Sequence, residues 1–174
     1  INLDTFATTE IALPVGSTSL RGITVSSDGR WGYVAHLLGR TYLPTTQLND
    51  GWVFNNVVTV LDLASNEVYA SIPLDSADQG AANPWGLTIA DERLWICSAG
   101  GHELIALDLT EIHSHLATRS DVRESMHYDL LTLYDKGWIA RHAVPGKGPR
   151  GLAVSPAGDA LAIAVYFDGG ICLY

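Results

Sequence analysis

Apolar and polar residues alternate along most of the chain, in short runs broken by glycine, proline and acidic turns. A period of two puts successive side chains on opposite faces, which predicts strands. Three such runs align: Leu20-Arg21-Gly22-Ile23-Thr24-Val25-Ser26, Pro84-Trp85-Gly86-Leu87-Thr88-Ile89-Ala90 and Pro149-Arg150-Gly151-Leu152-Ala153-Val154-Ser155. Their glycines stand 64 and 65 residues apart. A fixed spacing of this kind marks a repeat, and a repeat decides the fold before any single element does.

Each run leads into a turn: Ser27-Asp28-Gly29, Asp91-Glu92-Arg93 and Pro156-Ala157-Gly158-Asp159. Asp-Gly and Pro-x-Gly suit hairpins, because glycine tolerates the positive φ that such turns need. A second strand is predicted over Trp31–Leu37, Leu94–Ser98 and Ala160–Tyr166. A third covers Val57–Leu63, Glu103–Leu109 and Gly170–Tyr174. A fourth strand ends in proline, over Glu67–Pro73 and Trp138–Pro145, and Thr8–Pro14 matches it ahead of the first copy. Proline cannot donate to a ladder, so it belongs at an edge or a strand end. Lettering the strands A to D within each copy, the chain reads as a leading D strand at 8–14, a unit at 20–73, a second at 84–145 and an incomplete third at 149–174. Four-stranded meanders repeated in this way predict an all-β chain, about three blades of a β-propeller. A β-sandwich also has short, evenly spaced strands, but it does not explain matched glycines in a four-strand unit.

The pattern Pro-Arg-Gly-Leu-Ala-Val-Ser-Pro-x-Gly at 149–158, with Leu161 and Ala164 after it, resembles the YVTN-type propeller repeat of secreted and periplasmic bacterial proteins. Residues 20–35 also resemble it, with Tyr33-Val34-Ala35 in the signature place, as do residues 84–98, with Trp95-Ile96-Cys97 there instead. The resemblance implies a larger ring, seven-bladed, and a periplasmic or extracellular location. In a subset of such proteins the propeller accompanies c-type cytochrome or dihaem peroxidase-like modules, and the stretch from His36 to Trp52 looks like an insert of that subset. Three blades do not close a ring, so the remaining blades are expected from further chain or from a second copy. The apolar end Ile171-Cys172-Leu173-Tyr174 reads as mid-strand and fits the same expectation.

Two inserts interrupt the repeat. Residues 38–56, between strands B and C of the first unit, combine amides with Tyr42, Trp52 and Phe54, which offer hydrogen bonds and stacking faces. Residues 110–136, between C and D of the second unit, place Val122, Met126, Leu130 and Leu133 at a helical period. They predict one short helix of about three turns, capped by Ser120 or Asp121 with Glu124 following.

Composition narrows the function. The formal net charge is −9 and only 17% of residues are charged, so no basic face is available for nucleic acid. No apolar run approaches the roughly 18 residues of a membrane span. Cys97 and Cys172 lie in apolar runs and read as buried thiols or as one disulfide; there is no Cys-x-x-Cys-His to attach haem. A Gly-x-Ser-x-Gly elbow is missing, and Gly100-Gly101 precedes a strand rather than a helix.

The candidate site is the face that carries the D-to-A and B-to-C connections, here called the upper rim. Arg21, Trp85 and Arg150 precede the repeat glycines and are placed where the chain enters the innermost strand. An arginine fork there either pairs with an aspartate of the next blade or binds an anion. His36, at the base of the first insert, and His102, in the turn Gly100-Gly101-His102, share that face with Asp168 in rough repeat equivalence. The expected ligand-binding set is therefore Arg21, Trp85, Arg150, His36, Tyr42, Trp52, Phe54 and His102. No catalytic or metal set is expected in these residues. The leading function is a binding or scaffold module that takes a protein partner or a small ligand at the upper rim. The alternatives are a redox enzyme whose haem c or copper is held by missing blades or a fused domain, and a spacer without a ligand.

Overall fold

The computed structural model describes residues 4–40 and 53–174. Alternation becomes three antiparallel sheets, each a meander in which every strand pairs with the next in sequence. The first holds β1 (Ser17–Val25), β2 (Trp31–Gly39), β3 (Phe54–Asp62) and β4 (Glu67–Pro73). The second holds β5 (Pro84–Ala90), β6 (Arg93–Ser98), β7 (Glu103–Asp108) and β8 (Ile139–Ala143). The third has β9 (Pro149–Val154), β10 (Leu161–Val165) and β11 (Gly170–Leu173). Across sheets the first strands are neighbours, β1 against β5 and β5 against β9. Sheets that touch through their first strands and fan outward are blades around an axis, so the chain is part of a β-propeller.

The repeat glycines make that contact possible. A Cβ on Gly22 would lie 2.2 Å from the carbonyl oxygen of Trp85, and one on Gly86 would lie 2.4 Å from that of Arg150. Any side chain there would push neighbouring inner strands apart. Beyond the glycine, alternation aims Leu87 and Ile89 back at the first blade and Leu152 and Val154 at the second, where they join the cores between blades. Their counterparts on β1, Ile23 and Val25, face away from the second blade and are 68% and 48% exposed. On the other flank Ile171 and Leu173 of β11 are exposed.

Blades that meet at their inner strands diverge outward, and the helical insert fills the wedge between the first two. Asp108 accepts a hydrogen bond from the Glu111 amide at 3.0 Å and caps α1 (Leu109–Leu116), whose Leu109, Ile112 and Leu116 are buried. His113 of α1 lies on blade one: its Nε2 is 2.8 Å from the Tyr33 hydroxyl, and its ring is 4.5 Å from that of Trp31. The insert then climbs the outer strand β4, and the His127 carbonyl accepts from Arg40 at 2.9 Å at the upper end. The expected single helix is instead α2 (Ser120–Ser125), a 3-10 turn (Met126–Tyr128) and α3 (Thr132–Asp135). Asp129 breaks it by accepting from the amides of Leu131 and Thr132, which starts α3. Of the four periodic residues only Met126 and Leu133 are fully buried. Ser120 and Asp121 do not cap; Ser120 is the first helical residue, and the Asp121 carboxylate is bound by Arg119.

Residues 8–14, expected as a strand, have no ladder partner among the described residues. A D strand exists only against a C strand, and β11 of the third blade stands unpaired on its outer side. Strands β2 and β3 extend to Gly39 and Phe54, so the first insert is shorter than the expected 38–56. Its Tyr42 and Trp52 lie outside the described residues.

Replacing Gly86 by Ala should cost about 1–3 kcal/mol, the usual range for overpacking, because the obstacle is backbone and cannot rotate away. Replacing Gly32, where a Cβ meets only Leu61 and Leu63 side-chain atoms at 3.3 Å or more, should cost clearly less. Urea unfolding of the two variants measures the difference.

Candidate functional site: a guanidinium and aromatic ladder on the upper rim

In every blade the inner strand slips register just before its glycine. Pairing jumps from Thr18 to Gly22 on β1 and from Pro84 to Leu87 on β5, and it skips Arg150 between Pro149 and Gly151 on β9. Such bulges leave a residue unpaired and re-aim its side chain. The re-aimed residues are Arg21, Trp85 and Arg150, one per blade.

They form a ladder across the blades. The Arg21 guanidinium carbon lies 4.9 Å from the Trp85 ring centroid, and that of Arg150 lies 4.5 Å from the same ring. Arg150 is also 3.7 Å from the Tyr166 ring and 5.7 Å from that of Phe167. Each such contact contributes roughly 0.5–1 kcal/mol when exposed and about 2 when desolvated. The Arg21 fork also donates to Asn83 Oδ1 at 3.1 Å. The expected pairing with an aspartate is not what the structure shows: the described ion pairs use Arg30, Arg119 and Arg141. Arg150 Nε is buried with no hydrogen-bond partner among the described residues.

The loop into β9 is braced from both sides. His102 Nδ1 accepts from the Gly148 amide at 3.1 Å, and the Asp168 carboxylate accepts from the Lys147 amide at 2.7 Å. Gly148 has φ +68°, and a Cβ on it would lie 2.5 Å from the Phe167 ring. His102 thus positions the chain that carries Arg150. Beside this rim Lys147 is exposed and the Asp168 carboxylate stands on its amide, while Asp28, Asp91, Glu92, Asp108 and Asp159 sit in turns and strand ends at the opposite end of the blades. The chain is acidic overall, and its positive charge on the inner rim is local.

His36 does not reach the rim surface. It is 0% exposed, with Nε2 2.7 Å from Thr59 Oγ1 and Nδ1 3.0 Å from the Leu37 carbonyl. Pairing also makes His36 the counterpart of Ser98 and Val165 rather than of His102 and Asp168, which lie in turns. Phe54 is exposed and rests against Gly39 at the top of the first blade; no described contact joins it to the ladder. Asn83, Tyr166 and Phe167 complete the rim and were not among the expected set, although Tyr166-Phe167-Asp168 occupies a turn equivalent to the one that holds His102.

His36, His102, His113 and His142 each spend a ring nitrogen on a protein partner, and among the described residues no three His, Cys, Asp or Glu side chains are grouped to hold an ion. Cys97 is a free buried thiol whose pKa burial pushes up to about 12, and Cys172 is free as well.

The class is therefore a β-propeller with an inner-rim ladder. No family model matches the chain. The beta subunit of hydrazine synthase from Kuenenia stuttgartiensis is 30% identical over 160 residues, 89% of this chain and 40% of that protein. A solved chain of Kuenenia stuttgartiensis hydrazine synthase superposes with a TM-score of 0.81 and 27% identity, over 91% of this chain and 46% of that one. The periplasmic gluconolactonase of Pseudomonas aeruginosa aligns over 87% of this chain and 37% of its own, with a TM-score of 0.49 and 16% identity. The chain spans less than half the length of each of these proteins.

Burial holds His36, His113 and His127 below the ordinary histidine value of 6.5; Arg30 adds to this at His113 and Arg40 at His127. Below about pH 6.5 the unfolded chain binds protons that the folded chain refuses, so stability is complete above that pH and lost as pH falls, by up to about 1.4 kcal/mol per pH unit per histidine. Asp75, raised by burial despite hydrogen bonds from Asn56 and Ala81, acts with the opposite sign. Urea midpoints should fall from pH 7.5 to 5.5, and His36→Gln should flatten the slope. An equally steep slope in that variant would remove His36 from the account.

Proposed function

We propose that the chain is a segment of a binding and scaffold subunit in a multi-subunit enzyme of the hydrazine synthase kind, with the upper rim as its contact face. The carrying observation is the superposition at a TM-score of 0.81 and 27% identity over 91% of the chain. The similar curated protein is named as a subunit, which supports a protein partner. Exposed Ile23, Val25, Ile171 and Leu173 on the two flanks support further blades, supplied by more chain or a second copy; the resemblance to the YVTN-type repeat supports a seven-bladed ring. The same repeat supports a periplasmic or extracellular place, and no described helix is long and apolar enough to cross a membrane. Haem c or copper, where the assembly uses one, belongs to other chains; this reading is supported by His36, His102, His113 and His142 each bonding a protein partner through a ring nitrogen and by the lack of a group of three possible ligands among the described residues.

Purified full-length protein should be free of haem and metal by visible absorption and elemental analysis. It should also join the catalytic subunits expressed with it in one species by light scattering. A protein that carries its own haem or copper, or stays apart from those subunits, contradicts the reading.

A further inference from the structure

The ladder has a chemical consequence beyond its contribution to packing. The Arg150 guanidinium lies over the rings of both Trp85 and Tyr166, in a half-buried setting. A planar fork set over rings offers polar contact along its edge, where its N–H donors lie. Its Nε is buried with no hydrogen-bond partner among the described residues, so the terminal Nη donors form the edge left to an incoming group. Among the described residues Arg21, which also lies over the Trp85 ring, has only the neutral Asn83 as a hydrogen-bond partner, and Lys147 adds charge to the same rim. Three cations meet no described carboxylate in an ion pair, and the one carboxylate placed beside them, Asp168, accepts from the Lys147 amide, in a chain whose formal net charge is −9.

We propose that this rim is an oxyanion site that takes a carboxylate edge-on at Arg150, with Arg21 and Lys147 supplying longer-range attraction. The inference rests on the reading of the upper rim as the contact face and names the chemistry that face selects. A carboxylate matches the fork in plane and geometry, and charge-assisted bonds in a partly desolvated setting are the strong ones. The carboxylate comes either from a free small molecule or from an acidic side chain of a partner subunit.

Isothermal titration of the full-length protein at low ionic strength tests it with two probes, citrate and a short synthetic peptide rich in aspartate. Binding of citrate supports the site and a free ligand; binding of the peptide alone supports the site and a protein-borne carboxylate. Arg150→Lys keeps the charge and loses the fork, and should weaken binding about tenfold or more, as expected for losing a bidentate contact. Arg93→Lys, at the start of β6 at the opposite end of the blade, should bind as wild type. Arg21→Gln, on an exposed side chain, gives a second readout if thermal melting shows Arg150→Lys to be unfolded. Failure of wild type to bind either probe, or equal binding by the folded variants, overturns the inference. A wild-type protein that joins its partner subunits yet binds neither probe overturns this inference alone; one that binds citrate and joins no partner supports it and counts against the subunit reading.

Discussion

Backbone touching backbone between neighbouring inner strands is the constraint on which the rest of the structure depends. Gly22 lies under the Trp85 carbonyl and Gly86 under the Arg150 carbonyl. Strands brought this close fix the spacing of the blades near the axis. The register slip beside each glycine then turns the preceding side chain out of the ladder of hydrogen bonds and over its neighbour. Arg21, Trp85 and Arg150 stack because the glycines allow the approach and the bulges set the aim. The rim is thus a by-product of how blades are joined, and its composition is what makes it chemical rather than merely structural.

The same geometry accounts for the insert. Inner strands in contact leave a gap that widens outward, and apolar surface on β4, β7 and β8 must be covered there. Leu109, Ile112, Leu116, Met126 and Leu133 provide the cover. A long connection with a regular function in packing is an alternative to a binding loop, and the contacts of His113 with Tyr33 and Trp31 show α1 belonging to the first blade's core as much as to its own. Between the second and third blades the gap is filled by Trp95, Cys97, Leu104 and Leu161 without an insert.

The blades were legible in the sequence because period-two alternation, turn glycines and a spacing of 64 and 65 residues report backbone geometry directly. The ladder was legible in part: the repeat placed Arg21, Trp85 and Arg150 at equivalent points, but a bulge leaves no mark in hydrophobic pattern, so their stacking could not be read. His36 was misplaced for the same reason, since whether a strand-end histidine points inward depends on register, and its partner Thr59 lies on another strand. The insert's helix was overextended because periodicity cannot register Asp129 capping a new start. The strand expected at 8–14 has no partner strand among the described residues, and a partner is the one thing its own sequence cannot supply. Tyr166 and Phe167, in a turn matched to that of His102, stayed outside the expected set because their value lies in standing against Arg150, a contact that only the fold creates.

An experimental density map of the full-length protein, by crystallography or cryo-electron microscopy, tests the central claim most directly. The account predicts β1, β5 and β9 side by side about one axis, with Trp85 and Arg150 carbonyls resting on Gly22 and Gly86. A map in which these strands lie in two facing layers, or in which side chains separate them at the glycines, would contradict it.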